Sequence, residues 1–111
     1  MEIEVKNLDH VKIVILSGDL NANTSGEAET KINQLIMGGN RKLIIDLENL
    51  NYISSAGLRI FLASNKLIRK MNGEIRICTL NPTVKEVFEI SGFNLIFKLY
   101  PDQASSIADF T

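Results

Sequence analysis

Residues 43–62 read LIIDLENLNYISSAGLRIFL, and the two halves of that stretch follow different periods. Leu43-Ile44-Ile45 is an unbroken aliphatic run that closes on Asp46, the pattern of a central strand covered on both faces. Further on, Leu58, Phe61, Leu62 and Ile68 recur at helical spacing and give a helix its core stripe. Between the two lies Tyr52-Ile53-Ser54-Ser55-Ala56-Gly57, a segment that ends in two serines and a glycine and opens directly into the helix. Two readings of the serines follow. The first amides of a helix have no internal partner, so a serine oxygen that accepts from them is a cap contributing about 1 kcal/mol. The same place is also where a phosphate would meet free N–H groups and the positive end of the helix dipole. A cap and a switch are compatible, because phosphorylation would exploit the cap. Gly57 disfavours a first helical turn by about 1 kcal/mol against alanine. Its presence implies close backbone approach, by a neighbouring element or by a partner.

Working outward, IEVKNL and HVKIVILSG read as two strands joined by the turn formers Asn7 to His10, a hairpin. In DLNANTSGEAETKINQLIMGGN, Thr24 followed by Glu27 fits a capping box. Ala28, Ile32, Leu35 and Ile36 continue as a helical stripe, and Gly38-Gly39 stop it. Asn72-Gly73 ends the next helix, and EIRICTL is a further strand. Asn81-Pro82 opens a third helix with a cap and a proline at its first position, closed by Gly92. LIFKLY reads as a last strand, and Pro101 opens a short terminal helix. The order β-β-α-β-α-β-α-β-α predicts an α/β fold, a mixed sheet with helices packed on it.

Composition narrows the function. In 111 residues, 45% are apolar and 23% charged, enough for one domain with its own core. A net charge of -1 gives no reason to expect nucleic acid or an anionic membrane as a partner. The one cysteine, Cys78, excludes a disulfide framework and a multi-cysteine metal site, and no cofactor motif is present. MEIEVKN has no basic region leading into an apolar stretch, and the apolar runs are too short to span a bilayer. The expected location is the reducing cytoplasm.

Asp46 interrupts an apolar run, and a buried carboxylate needs hydrogen bonds. It either ties down the following loop through backbone amides or acts beside Ser55. His10 reads as a solvated hairpin residue. Beside the core stripe of the second helix, Ile60, Ala63 and Leu67 form another apolar row, either a broad buried face or a surface for a partner.

LIIDLENLNYISSAGLRIFL resembles the central motif of STAS domains, specifically the bacterial anti-sigma-factor antagonists: an Asp-Leu strand end, a short loop, then Asp-Ser-Ser/Thr-Gly-Leu opening a helix. LSGDLNANTS resembles the family's Gly-Glu-Leu-Asp loop, and LNPTVKEVFEISGF its Asn-Pro helix and Gly-Phe/Leu segment. The resemblance covers residues 3 to 109. It implies one STAS domain over residues 1–111, a mixed sheet of roughly four to five strands with about four helices packed on one side. It also implies a binding protein rather than an enzyme. Carried across on Gly57-Leu58, the family's phosphorylated serine falls on Ser55, its preceding aspartate on Ser54, and Ala56 takes the Ser/Thr position. Ser54 offers a second acceptor hydroxyl in place of that carboxylate. Asn21 stands where the family loop often has an acid.

The resemblance further implies partner contacts at Asp19, Asn21, Asn23, Thr24, Ser54, Ala56, Gly57, Arg59, Ile60 and Ser64. The partner would be an anti-sigma factor or serine-protein kinase bound to the unphosphorylated chain, with a phosphatase to reset it. Other functions stay open. A serine nucleophile at Ser55 would need the G-x-S-x-G elbow, whose first glycine is Ile53 here. Nucleotide binding rests on resemblance to other STAS domains. A constitutive STAS adaptor would keep both serines as caps only.

Overall fold

The chain begins with an antiparallel hairpin of β1 (Glu2–Leu8) and β2 (Val11–Leu20) in the computed structural model, which describes residues 1–108 and 110. Asp9 turns the hairpin with a φ of 53°, and His10 beside it is exposed. Then follow α1 (Ser25–Met37), β3 (Lys42–Asp46), β4 (Leu50–Ile53), α2 (Ser55–Lys70), β5 (Glu74–Cys78) and α3 (Pro82–Ile90). A short 3-10 turn (Phe93–Leu95), β6 (Leu99–Tyr100) and α4 (Gln103–Ala108) complete the described chain. The strands form one mixed sheet in the order β1-β2-β3-β5-β6, parallel beyond the hairpin. This is the mixed sheet with four helices that the sequence predicts.

Alternation along the strands sorts their side chains onto two faces. Val14 and Leu16 of β2, Leu43 and Ile45 of β3, and Ile75 and Ile77 of β5 join Ile32, Phe61 and Phe88 from the first three helices in the main core. Val11 and Ile13, Ile44 and Cys78 point the other way, into a small second core closed by Phe110 and flanked by Ile107 of α4. So β3 is buried on both faces, as its unbroken aliphatic run requires. The expectation of helices on one side alone is corrected by this second core, because α4 crosses to the opposite face.

Two strand expectations also change. The sheet has six strands, because Leu50–Ile53 pairs with β2 rather than forming part of a loop. LIFKLY contributes only Leu99 and Tyr100 to the sheet. Its apolar start is used differently: Phe93 and Phe97 lie four residues apart on a tight turn, Phe93 meeting Phe88 edge-on at 6.0 Å between ring centroids and Phe97 packing against Phe93 at 6.1 Å. Phe97 is thereby buried, while Leu95 and Ile96 stay exposed. A turn entered through Gly92, at φ 79°, serves that packing better than an extended strand would.

Candidate functional site

The site forms where β2 and β4 end side by side. β2 pairs with β3 over Lys12–Ile15 and with β4 over Gly18–Leu20. The register slips between Gly18 and Asp19, leaving Asn51 as the extra residue of β4. The slip sets Asp19 opposite Tyr52 and Leu20 opposite Ile53, and the ladder finishes with Ser54 N–H donating to Leu20 O at 2.9 Å. The two serines are thus fixed to the root of the loop that follows β2.

That loop is tied by its own polar side chains. Asn21 Oδ1 accepts from the amides of Asn23 and Thr24 at 2.9 and 3.2 Å, an Asx turn. Thr24 Oγ1 donates to Asp19 O at 2.7 Å and accepts from Asn21 N–H at 2.9 Å. The capping box expected at Thr24 therefore does not form: Thr24 holds the N-cap position of α1 but its hydroxyl is spent on the loop.

At α2 the serines divide their roles. Ser54, with extended backbone (φ -97°, ψ 175°), is the N-cap, and its Oγ accepts from Gly57 N–H at 3.4 Å. Ser55 is the first helical residue, exposed, and its hydroxyl makes no hydrogen bond to another described residue. The first turn of α2 carries no acidic residue, while Arg69 and Lys70 occupy the last. The dipole's positive end is thus uncompensated at Ser55. Gly57 is explained by packing: a Cβ there would stand 2.9 Å from both Ile53 Cγ1 and Leu20 Cγ. The helix start lies directly on the ends of β2 and β4, and any side chain larger than hydrogen would have to displace Leu20 and Ile53.

An open groove runs between α1 and α2, lined by Ser25 and Glu29 on one wall and by Ala56, Arg59, Ile60 and Ala63 on the other. Ile60 forms its floor and is only 7% exposed. Ser64 is 1% exposed and donates to Asn33 Oδ1 at 3.1 Å. That bond ties α2 to α1, so the expectation of Ser64 facing a partner is corrected, and Gly57, buried against Leu20 and Ile53, likewise offers no surface. The remaining residues named from the sequence, Asp19, Asn21, Asn23, Thr24, Ser54, Ser55, Ala56, Arg59 and Ile60, surround the start of α2. Tyr52, outside that set, is 52% exposed on the short strand leading to the serines.

Asp46 ties the following loop rather than meeting Ser55. Its Oδ1 accepts from Glu48 N–H at 2.9 Å, and its Oδ2 accepts from the Gln103 side chain. Among the described residues no group of three or more His, Cys, Asp or Glu could hold a metal ion. No helix among them is long and apolar enough to cross a membrane.

The family model of the STAS domain matches residues 2–106, nearly the whole of this architecture. The chain belongs to the STAS domain family. It is similar to a Bordetella bronchiseptica protein named as an anti-sigma factor antagonist, BtrV, with 37% identity over 110 residues covering 99% of this chain and 95% of that one. Among solved structures, the STAS fold seen here superposes on an anti-sigma factor antagonist of Thermotoga maritima with a TM-score of 0.92, at 19% identity over 96% of this chain and 92% of that one. It also superposes on the Bacillus cell fate determinant SpoIIAA in its phosphorylated form, with a TM-score of 0.77 at 19% identity over 99% of this chain and 100% of that one.

Proposed function

We propose that this STAS protein is an anti-sigma factor antagonist that works as a partner switch, with Ser55 as the modified residue. The observation that carries the reading is the division of labour at the start of α2: Ser54 caps the helix, and Ser55 is left exposed beside the tied Asp19–Thr24 loop. The names of its relatives support the antagonist role. SpoIIAA, solved in a phosphorylated form, is a fold relative for which such a state exists.

On this reading the unmodified face, made of Asp19, the Asn21–Thr24 loop, Ala56, Arg59 and the groove floored by Ile60, binds an anti-sigma factor that is also a serine kinase. A phosphate on Ser55 adds roughly two negative charges. The start of α2 tolerates them within the chain, because free amides and the dipole stabilise an anion there. The partner's surface, packed against Ser55, must instead bury that charge, so the complex comes apart. A phosphatase restores the binding face. The chain acts by binding and performs no catalysis of its own. It is a single STAS domain over residues 1–111 working in the bacterial cytoplasm.

Phosphate mapping by tandem mass spectrometry, on protein isolated from its native cells with and without phosphatase, tests the switch. A single phosphate on Ser55, absent in Ser55→Ala, together with weakened partner binding in Ser55→Asp, is the expected result. Phosphate on Ser54 alone would move the site. No phosphate under any growth condition would remove the switch and leave a constitutive STAS adaptor.

A further inference from the structure

The outer face of the sheet is covered by very little. Of the six residues of α4, QASSIA, Ser106 alone is buried, with Phe110 closing the small core beyond the helix. A helix this short has no independent stability. It is held mainly by polar ties. Arg76, 4% exposed in the middle of β5, donates from Nη1 to Ser106 O at 3.1 Å. Its guanidinium lies 3.8 Å from the centre of the Phe110 ring and is paired with Glu74 at 2.8 Å. Lys42 Nζ donates to Phe110 O, and Gln103 Nε2 donates to Asp46 Oδ2. Beneath this cover lies Cys78, fully buried, its thiol pushed up from its ordinary pKa chiefly by desolvation. The main core, by contrast, is filled by large aliphatic and aromatic side chains from three helices.

We infer that α4 is a latch that opens as a unit while the rest of the domain stays folded, and that Asp46 couples this latch to the loop leading into β4 and the two serines. The physical basis is a mismatch of supports. Opening α4 breaks the Gln103, Arg76 and Lys42 ties and exposes a few side chains, whereas global unfolding must also expose the main core. Segments with few buried apolar contacts open at lower free energy than the whole. Asp46 is the hinge between the two regions, since one carboxylate oxygen serves α4 and the other the amide of Glu48. When the latch opens, the 47–50 turn keeps that amide bond and loses the rigidity of its other anchor. The inference does not depend on whether Ser55 is modified.

Cys78 is the only cysteine of the chain and reports the opening directly. The experiment is thiol labelling of the full chain by a disulfide reagent at neutral pH across a urea series below the unfolding transition, on wild type, Gln103→Ala and Phe110→Ala. Expected is a labelling rate with a shallow urea dependence, because a latch exposes little surface, and a rise of about tenfold or more in both variants. Hydrogen exchange on Gln103→Ala should show faster exchange in residues 47–50 as well as 103–108, with α1 unchanged. Labelling whose urea dependence equals that of global unfolding in all three proteins would overturn the latch. Exchange unchanged in residues 47–50 would overturn the coupling through Asp46.

Discussion

Ser54 turns its hydroxyl back onto the amide of Gly57 at 3.4 Å, while its neighbour Ser55 points away from the fold. Adjacent and chemically identical, the two side chains carry different burdens. Ser54→Ala should destabilise the domain by up to about 1 kcal/mol through loss of the cap. Ser55→Ala should change stability by less than about 0.5 kcal/mol, as at an ordinary surface position. Urea unfolding of the two single variants measures the difference. Equal effects would mean that the serines share the cap.

Gly57→Ala sets helix propensity against packing. The methyl group gains about 1 kcal/mol of propensity. It must also displace Leu20 and Ile53, whose carbons lie 2.9 Å from it and which are 0% and 3% exposed. Overpacking of that kind costs about 1–3 kcal/mol. The net expectation is destabilisation, read as a lowered urea midpoint with an unchanged slope. A stabilised variant would show that the helix start can lift from the strands without penalty.

Tyr52→Ala separates binding from folding. Tyr52 is half exposed and faces Asp19 in the ladder beside the serines. Stability should move by no more than about 0.5 kcal/mol. Affinity for an anti-sigma factor, measured by calorimetry, should fall about tenfold or more if Tyr52 is an aromatic anchor of that face. Unchanged affinity would put the contact on the α1–α2 groove instead.

The capping of α4 gives a pH dependence. Asp102 Oδ1 accepts from Ser105 N–H at 2.8 Å, and the amide and hydroxyl of Ser105 hold this carboxyl below its ordinary value. A folded pKa below the unfolded one means that the contribution is complete above the usual carboxylate pKa of about 4. It is lost as pH falls through the lowered folded value. Amide protection in 103–108 should therefore decline in that acid range before the main core responds, as followed by NMR. Asp102→Asn keeps a capping oxygen and removes the charge, so it should flatten this decline.

Much of this was legible in the residues. The Asn81-Pro82 start of α3 is present as read, with Asn81 Oδ1 accepting from Val84 N–H at 2.9 Å. The aliphatic run of β3, the stripe of α1 and Leu58, Phe61 and Ile68 of α2 are likewise core, whereas Leu62 lines the α1–α2 groove. What escaped depends on neighbours distant in sequence. LNYI is buried only at its two ends, so it neither alternates nor runs apolar throughout, and its strand character comes from β2 alone. Thr24-x-x-Glu27 has the spacing of a capping box, but Asn21 and Asp19 claim the hydroxyl first. In α2, Ser64 looked like a partner contact beside Ile60, yet its hydroxyl is taken by Asn33 of α1 while Ile60 floors the groove, and helical period by itself does not say which neighbour arrives. The site was legible as a motif, but which serine caps and which stays exposed required the backbone angles of Ser54.

The succession of partners along β2 works as a ruler. β3 occupies its first part and β4 its last, so the height of the serines above the sheet is measured from β2 rather than from β3. Extra residues at the exposed Glu48–Asn49 tip of the turn would bulge outward, with Ser54 still held on Leu20. A single residue inserted into Gly18–Leu20 would move the Asn21–Thr24 loop past the serines and invert which side chains face them. For an engineer transplanting this surface onto another sheet, the turn is the free parameter and the end of β2 is the fixed one.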